Sequence, residues 1–269
     1  MGVINYGEYI PPCNLYLINT MKHSHNTIIV TGGGSGIGRE LAMRWQADGN
    51  TVIVAGRNMK NLRETIGDLD TVYAYELDMT SEESIELFAK TVLEKHPEVN
   101  VLVNNAGIMG FENITARRDM SHAEKVINTN LLGPIRLINA FIDHLQSVEN
   151  AAIVNVSSGL AFVPLPISPT YSASKAAIHS YTESLRCQLD GKIEVIEIAP
   201  PGVRTELNPG QSENEDYMPL DAFIDEVMML LQQEPTLSEV LVEQVKPLRF
   251  AERDLKFDAI LKNMPASLG

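Results

Sequence analysis

The sequence predicts an α/β fold in which a parallel β-sheet is covered by α-helices on both faces. From Asn26 onward, short runs rich in β-branched residues alternate with longer amphipathic stretches, and this alternation is typical of parallel sheets. The apolar runs are continuous, which favours strands that are buried on both sides. No linker, shift of composition or internal repeat divides the chain, so we expect one domain.

Seven strands and six helices are predicted along the chain. The strands cover residues 27–30, 51–56, 72–77, 99–104, 151–156, 193–199 and 239–245. The helices have apolar residues at a helical period and cover residues 38–47, 61–69, 81–95, 122–146, 172–189 and 220–233. Each helix lies between two strands, as crossover connections between parallel strands require.

The charge balance excludes several classes of partner. The 269 residues include 35 acidic and 21 basic side chains, and the net charge of −14 is opposite to what nucleic acid or an anionic membrane attracts. Since no apolar run reaches the roughly 18 residues of a membrane helix, we expect neither kind of partner. The two cysteines, Cys13 and Cys187, are far apart and outside any CxxC spacing, which indicates a reducing, cytoplasmic setting.

Residues 1–22 are interpreted as a loosely ordered leader, and residues 23–269 as the functional domain. The first twenty residues have no basic start, no sustained apolar stretch and no small-residue cleavage site, so they do not resemble a signal peptide. Met21 begins the run MKHSHNTIIV and could itself be the initiating residue. The simplest interpretation is therefore a dispensable leader.

A glycine-rich turn, TGGGSGIGRE at 31–40, follows the first strand. It fits neither the dinucleotide pattern GxGxxG nor the phosphate loop, because Arg39 and Glu40 stand where the latter needs Lys and Ser or Thr. The remaining spacing is GxxxGxG, which between a strand and a helix lets backbone N–H groups face a pyrophosphate. We therefore expect phosphate binding rather than a merely flexible loop. The expected cofactor contacts in this turn are Gly32, Ser35, Gly36, Ile37 and Gly38.

The second predicted strand ends in the sequence AGRN (55–58). In dinucleotide-binding α/β folds, an acidic residue near this position binds the ribose hydroxyls, whereas an arginine accommodates a 2′-phosphate. Here Gly56 stands where the acid would be, and Arg57 follows. This pattern favours NADP(H) over NAD(H); the alternative is a solvent-exposed arginine without a ligand.

A tyrosine and a lysine stand four residues apart in YSASK (171–175), at the start of a predicted helix. At that spacing, Tyr171 and Lys175 share one helix face. A neighbouring cation favours the phenolate, so we expect a lowered pKa for Tyr171 and a role in proton transfer. Taken alone, an accidental contact on a solvated helix face explains the pair better.

Five ordered motifs together resemble the short-chain dehydrogenase/reductase family. They are TGGGSGIG, NNAG (104–107), NVSS (155–158), YSASK and PPGVRT (200–205), and they span roughly residues 26–205. The resemblance implies a single doubly wound domain of Rossmann type with a seven-stranded parallel sheet. It also implies a nicotinamide cofactor and the transfer of a hydride between that cofactor and a carbonyl or secondary alcohol.

The resemblance assigns roles to the matching positions. Tyr171 would supply the proton, Ser158 would hold the substrate oxygen, and Lys175 would support the tyrosine and bind the nicotinamide ribose. Asn130 would position a water that links the lysine to solvent. The family's spacing of thirteen residues to the tyrosine selects Ser158 rather than the adjacent Ser157. Further cofactor contacts are implied for Asp78, Pro201, Gly202, Thr205 and Asn104, the last of which also braces the sheet.

Two stretches depart from the family's pattern. The chain ends in SEVLVEQVKPLRFAERD (238–254) instead of a glycine-rich final strand, which puts the usual tetramer contacts in doubt. This tail resembles that of bacterial DltE-like oxidoreductases. The segment 159–171 carries Pro164, Pro166 and Pro169, and its apolar residues favour a hydrophobic substrate lining. A packed loop without substrate contact is the alternative.

The sequence therefore predicts an NADP(H)-dependent oxidoreductase that acts on a small, apolar substrate. The alternative is a non-catalytic dinucleotide-binding sensor or scaffold, which would have no need of the complete catalytic set. A homodimer through the helices at 122–146 and 172–189 is implied by the family. No metal site is expected, because the six histidines show no HExxH or other ligand spacing.

Overall fold

The seven predicted strands form one parallel sheet. The computed structural model describes residues 21–265. Within them the strands are β1 (Thr27–Thr31), β2 (Thr51–Gly56), β3 (Val72–Glu76), β4 (Val101–Asn104), β5 (Ala152–Val156), β6 (Glu194–Ile198) and β7 (Glu239–Val240). Their order is β3-β2-β1-β4-β5-β6-β7, and every neighbouring pair is parallel. The order reverses between β1 and β4, where ligands bind in open α/β sheets.

The helices connect successive strands and cover both faces of the sheet, as predicted. In the described part of the chain they are α1 (Gly36–Ala47), α2 (Met59–Ile66), α3 (Glu82–Lys95), α4 (Ser121–Ile127), α5 (Gly133–Leu145), α6 (Pro169–Gln188), α7 (Leu220–Leu231), α8 (Lys246–Arg249) and α9 (Phe257–Asn263). None of the helices in the described range is long and apolar enough to span a bilayer.

Alternate residues of the strands pack into two cores, one on each face of the sheet. On one face, Ile28 of β1 packs with Trp45 of α1. On the other face, Ile29 packs with Phe88 of α3 and Phe141 of α5, whose rings lie 6.0 Å apart. Each such fully buried side chain contributes about 1.5–3 kcal/mol to folding. Burial on both faces explains why the strand sequences are continuously apolar.

The predicted helix at 122–146 is interrupted in the structure. A π-helical turn, Asn128–Leu132, separates α4 from α5 and places Thr129 and Asn130 in the interior. The amphipathic period alone did not reveal this, because a π turn inserts one residue without breaking the apolar stripe. Such turns are frequent at functional sites, and this one carries Asn130.

The predicted strand at 239–245 is wrong beyond its second residue. β7 contains only Glu239 and Val240, and the chain then forms a 3₁₀ turn at Glu243–Val245 that leads into α8. Val242 and Val245 are both fully buried, at a spacing that fits a helical turn better than a strand. Pro247 in the first turn of α8 also prevents continuation of a strand ladder.

Most of the predicted leader, residues 1–20, lies outside the described residues. Met21 lies within them and is buried, with 4% of its surface exposed. Its backbone N–H donates to Glu194 Oε2 at 2.5 Å. The packed domain therefore includes this residue.

Candidate active site

A cavity of about 780 Å³ opens at the carboxyl ends of the central strands. It lies where the strand order reverses, and its size is that of a cofactor or drug-like ligand site. The glycine turn, the residues that follow β4 and β5, the first turns of α6 and the segment after β6 form its walls. It brings together most of the predicted site residues: Gly32, Ser35, Gly36, Ile37, Gly38, Arg57, Asp78, Ser158, Tyr171, Lys175, Pro201 and Thr205.

The glycine turn needs glycine for two separate reasons. Gly32 and Gly36 have φ angles of +69° and +52°, which residues with a side chain rarely adopt. Gly38 has no room for a side chain, because a Cβ atom would lie 2.3 Å from Asn105 Nδ2 and 2.6 Å from the Gly32 carbonyl oxygen. The turn therefore presents backbone to the cavity.

The first turn of α1 offers donors to an anion. The helix begins at Gly36, and Ser35 at its N-cap makes no side-chain capping bond. The first N–H groups of a helix have no intrahelical acceptor, and the helix dipole adds positive potential there. This end of the cavity fits a phosphate group.

Hydrogen bonds between Thr31 and the residues after β4, which the sequence did not predict, hold the glycine turn against that strand. Thr31 Oγ1 accepts hydrogen bonds from the backbone N–H groups of Asn105 and Ala106, at 3.0 Å each. Asn105 Nδ2 donates to the Thr31 carbonyl oxygen at 2.8 Å. Thr31 and Asn105 belong to the motifs TGGGSGIG and NNAG, and that membership is the signal that could have identified their contact.

Arg57 and Asp78 line the same end of the cavity, after β2 and β3. Asp78 Oδ1 accepts hydrogen bonds from the backbone N–H and hydroxyl of Thr80, at 2.9 and 2.8 Å. Burial raises the pKa of Asp78, but the Thr80 hydrogen bonds and the charges of Arg57 and Lys125 outweigh it, so the pKa lies below its ordinary value. An ionised acceptor and a guanidinium donor therefore stand near each other.

Two predicted cofactor contacts do not line the cavity. Asn104 is buried, and its Nδ2 donates to Asn155 Oδ1 at 2.9 Å, so it braces β4 against β5. Gly202 packs against the ring of Tyr217, where a Cβ atom would lie 2.8 Å from Cδ1. Asn104 and Gly202 therefore contact residues outside the cavity wall, Asn155 and Tyr217, rather than the space in which a cofactor would lie.

Three predicted catalytic side chains converge at the other end of the cavity. Tyr171 and Lys175 are 6% and 4% exposed, and Lys175 Nζ lies 5.7 Å from the tyrosine ring centroid. Lys175 Nζ also donates to the Val156 carbonyl oxygen at 2.8 Å. Ser158 also lines the cavity, and its hydroxyl acts to lower the pKa of Tyr171. The Ser157 hydroxyl is buried without a partner among residues 21–265.

The expected lowering of the Tyr171 pKa is wrong for the protein without ligands. Burial raises the pKa of Tyr171 to about 12, and the hydrogen bond with Ser158 opposes this only in part. Burial also lowers the pKa of Lys175 to about 8, while the charge of Glu197 raises it. Desolvation is the larger cause of both shifts because both groups are removed from water.

Asn130 lies behind the cavity wall rather than in it. Its Oδ1 accepts from the Ile108 N–H, and its Nδ2 donates to the Ile108 carbonyl oxygen, both at 2.9 Å. Nδ2 also lies 3.2 Å from Ser174 Oγ. A Cβ atom on Gly107 would lie 3.4 Å from Asn130 Oδ1 and 3.6 Å from Lys175 Nζ, so glycine leaves the space between these two groups open.

The sequence also did not predict a set of hydrogen bonds around Glu112, which we call the Glu112 clamp. Glu112, in the segment after β4, accepts hydrogen bonds from the Thr170 N–H and hydroxyl at 3.1 and 2.8 Å. Arg118 Nη2 donates to the same carboxylate at 2.5 Å. The clamp fixes the first turn of α6 next to Tyr171. No motif surrounds Glu112, so the sequence carries no signal for it.

The residues present fit a nicotinamide dinucleotide. The glycine turn is a cradle that Cβ atoms would fill, the α1 N-terminus offers unpaired donors, and the buried Ser157 hydroxyl at the cavity wall has no partner in the described range. Charged groups that recognise a ribose or its phosphate stand at one end, and acid–base groups stand at the other.

Comparison with known proteins supports the same assignment. A model of the family described as short chain dehydrogenase matches residues 26–216. The uncharacterized oxidoreductase DltE of Bacillus subtilis (strain 168) is 43% identical over 192 residues, which cover 70% of this chain and 75% of that protein.

Solved structures show the same fold. A short chain dehydrogenase from Burkholderia cenocepacia J2315 in complex with NADP is similar with a TM-score of 0.77 and 26% identity, over 91% of this chain and 100% of that chain. The 3-ketoacyl-(acyl-carrier-protein) reductase from Brucella melitensis complexed with NADH gives a TM-score of 0.74 at 22% identity, over 83% and 100% of the two chains. The second similarity shows the fold alone.

The resemblance inferred from the five motifs is thereby confirmed. The family match covers the glycine turn, the predicted catalytic side chains and most of the sheet, and the 43% identity to DltE confirms the resemblance to DltE-like oxidoreductases. The chain belongs to the short chain dehydrogenase family and is a dehydrogenase/reductase enzyme.

Proposed function

We propose that the protein is an NADP(H)-dependent oxidoreductase that transfers a hydride between the nicotinamide and a carbonyl or secondary alcohol of a small, apolar substrate. The observation that carries this proposal is the convergence of Ser158, Tyr171 and Lys175 in the cavity that the glycine turn also lines. Hydride transfer needs the cofactor and the carbonyl held side by side next to an acid–base group.

The side chains at the catalytic end have separate roles in carbonyl reduction. When bound, the nicotinamide supplies the hydride to the carbonyl carbon. The Tyr171 hydroxyl donates its proton to the carbonyl oxygen, so its O–H bond breaks as the alcohol O–H bond forms. The Ser158 hydroxyl donates a hydrogen bond to the same oxygen while negative charge develops there. In alcohol oxidation the same proton returns to Tyr171.

Lys175 stabilises the phenolate that proton transfer leaves behind. Because burial raises the pKa of Tyr171 to about 12, the group holds its proton until a strong acceptor forms beside it. An ammonium 5.7 Å from the ring centroid then lowers the free energy of the phenolate. Asn130 acts behind the wall as a positioning residue, since it holds the Ile108 backbone beside the lysine.

The preference for NADP(H) rests on the end of β2. Arg57 lines the cavity there, and Gly56 replaces the acid that would repel a 2′-phosphate. The guanidinium offers a planar set of donors that suits a phosphate. The overall charge of −14 makes such a local cation more important for anion binding.

An apolar substrate is supported by the walls around the catalytic end. Ile108 and Val156 line the cavity there, because the Val156 carbonyl accepts from Lys175 and the Ile108 backbone is bound by Asn130. Few charged side chains stand there to hold an ionic substrate, whereas apolar walls gain free energy by covering an apolar one.

The family and the sequence also support proposals about the oligomeric state, the localisation, the domain bounds and the partners of the protein. We propose a cytoplasmic homodimer formed through the helices at 122–146 and 172–189, with one functional domain that contains residues 23–269 and also Met21, which the sequence predicted to lie in the leader. The partners would be a small-molecule substrate and a second copy of the chain, without nucleic acid, membrane or metal.

Turnover of a carbonyl panel tests the function. Purified protein is mixed with NADPH and apolar aldehydes and ketones of increasing size, and oxidation of NADPH is followed by its absorbance. We expect turnover that falls about 100-fold in Ser158→Ala but changes little in the control Ser184→Ala, an exposed position on α6. Tight NADPH binding without turnover of any carbonyl, or of any secondary alcohol with NADP, would favour a sensor or scaffold.

A further inference from the structure

A second polar cluster lies one helical turn beyond the catalytic lysine. It consists of His179 of α6, Glu197 of β6, Glu239 of β7 and Arg249 of α8. His179 Nδ1 lies 2.8 Å from Glu197 Oε2. Arg249 donates through Nε and Nη2 to the two oxygens of Glu239, at 2.7 and 3.1 Å. The cluster joins the tail that departs from the family's pattern to the helix that carries Tyr171.

Glu197 is the most deeply buried member of the cluster. Its side chain is fully buried, and its Oε1 atom has no hydrogen-bond partner in the part of the chain that the structure describes. A buried carboxylate is unfavourable unless positive charge or hydrogen-bond donors compensate it. His179 compensates the charge on the Oε2 atom of Glu197, whereas the Oε1 atom is left without a hydrogen-bond partner among the described residues.

A metal ion does not explain this cluster. The donor atoms of His179, Glu197 and Glu239 lie within 4.8 Å of one another, which is close enough for one. However, Arg249 already engages both oxygens of Glu239, and the hydrogen bond to Glu197 raises the pKa of His179. With His179 protonated, two carboxylates and two cations give a neutral cluster, so a metal ion would have to displace a proton.

The position of Glu197 in the sheet directs its charge toward the catalytic lysine. Glu197 is paired in register with Asn155, the residue before Val156, whose carbonyl oxygen accepts from Lys175 Nζ at 2.8 Å. His179, the partner of Glu197, follows Lys175 by four residues and therefore lies on the same face of α6. The carboxylate and the ammonium share the buried layer between this helix and the sheet.

We propose that Glu197 is a positioning residue for catalysis whose buried carboxylate is the counter-charge that keeps the Lys175 ammonium charged inside the site. Through Glu197, the tail residues Glu239 and Arg249 are coupled to the acid–base chemistry. The importance of this charge rests on the proposed function of Lys175, but the electrostatic link does not depend on the identity of the substrate or the cofactor.

The electrostatic interaction between Glu197 and Lys175 becomes stronger as pH rises, because of the titratable and charged groups that surround the two residues. They are Tyr171, His179 and Glu183 of α6, Glu239 of β7 and Arg249 of α8. When His179 loses its proton, the net charge of the cluster falls from zero to −1. The field that holds the proton on Lys175 becomes stronger at that point.

A direct titration of Lys175 tests the proposal without any substrate. The protein is labelled with ¹³C at the lysine Cε, the Lys175 resonance is identified by its loss in Lys175→Arg, and its midpoint is measured by NMR against pH. We expect Glu197→Gln to lower the midpoint by about 1 unit, because two unit charges in a partly shielded interior interact by about 1 to 2 kcal/mol at an effective dielectric constant of about 20. Glu197→Asp, which keeps the charge, should recover most of the shift.

Glu194→Gln is the matched control, because Glu194 begins the same strand and contacts Met21 at the far end of the sheet. Its Lys175 midpoint should equal that of the wild type. An unchanged midpoint in Glu197→Gln, or an equal shift in Glu194→Gln, would overturn the proposal. A shifted midpoint in a protein that turns over no carbonyl would leave the electrostatic link standing and overturn the proposed function.

A double variant decides the matter if Glu197→Gln does not fold. Removing one partner of a buried charge pair is strongly destabilising, whereas removing both relieves the penalty. We therefore expect Glu197→Gln/Lys175→Met to fold and to melt at a higher temperature than Glu197→Gln. A double variant as unstable as the single one would show that Glu197 supports the fold in another way, and would overturn the proposal.

Discussion

The two ends of the cavity are lined by different groups, backbone atoms at one end and buried side chains at the other. At the end formed by β1 and α1, Gly32 and Gly36 adopt positive φ angles and Gly38 leaves no room for a side chain, so the lining is backbone. At the end formed by β5 and α6, the lining is buried side chains. There, burial moves the pKa of Tyr171 up to about 12 and that of Lys175 down to about 8.

This difference separates binding from chemistry. Backbone N–H groups carry no titratable proton, so the glycine end holds an anion in the same way across a wide range of pH. The buried phenol and ammonium do carry titratable protons, and burial shifts both pKa values, so the chemistry at this end depends on pH. Substitutions at the two ends should therefore change different kinetic and thermodynamic quantities.

The largest expected effect is on turnover at the side-chain end. Tyr171→Phe removes the proton donor and should lower kcat by about 1000-fold. The affinity for NADPH should change little, because the backbone end is untouched. Steady-state kinetics and a fluorescence titration of NADPH measure the two quantities separately. Tyr181→Phe, on the same helix, is the matched control and should retain its kcat; loss of NADPH binding in Tyr171→Phe would break the comparison.

The next effect is on binding at the backbone end. Gly38→Ala places a Cβ atom 2.3 Å from Asn105 Nδ2, so the turn must shift. Such overpacking costs about 1–3 kcal/mol, which we expect as a loss of about 5- to 150-fold in NADPH affinity. Gly56→Ala is the control, because its Cβ atom would meet only Leu62 Cδ2, at 3.9 Å. Unchanged NADPH affinity in Gly38→Ala, measured by the same titration, would contradict the cradle.

A smaller effect concerns the stability of the side-chain end. Burial lowers the pKa of Lys175 from 10.5 to about 8, so the folded protein binds fewer protons than the unfolded chain between those values. Wild-type stability should therefore rise with pH across that window, and the full penalty, about 3 kcal/mol, should apply below pH 8. Lys175→Met removes this pH dependence, although it also loses the hydrogen bond to Val156 and leaves the buried Glu197 carboxylate without its counter-charge.

Urea unfolding of the wild type and Lys175→Met at several pH values measures this effect. The free energy of unfolding of Lys175→Met minus that of the wild type should be highest below pH 8 and should fall by about 3 kcal/mol as pH rises through 10.5. Lys90→Met, an exposed position on α3, is the control and should stay within about 0.5 kcal/mol of the wild type. A constant difference at every pH would mean that the buried lysine carries no desolvation penalty.

Contiguous patterns explain what the sequence could predict. The seven strands follow from uninterrupted apolar runs, and the glycine turn and the Tyr171–Lys175 pair each occupy a few successive residues whose local geometry decides their placement. Ser158 was chosen over Ser157 by spacing alone, and both serines line the cavity. These features depend on short-range physics, which a single sequence records.

Long-range pairings explain what the sequence could not predict. Glu112 meets Thr170 across 58 positions of the chain, and Glu197 meets His179 across 18, and neither contact leaves a local pattern. The burial of Tyr171, which reverses the expected direction of its pKa, depends on elements that surround it in the fold. The short β7 was missed because Val240 and Val242 alternate like a strand until the chain turns.

The most direct measurement is a titration of NADPH and NADH into the wild type, Arg57→Ala and Gly56→Asp. We expect the wild type to bind NADPH at least about 10-fold more tightly than NADH, and Arg57→Ala to lose that preference by weakening NADPH alone. Gly56→Asp, which has room for a side chain, should repel the 2′-phosphate and favour NADH. Equal or tighter binding of NADH by the wild type would contradict the NADP(H) assignment, and failure to bind either cofactor would contradict the proposed hydride transfer itself.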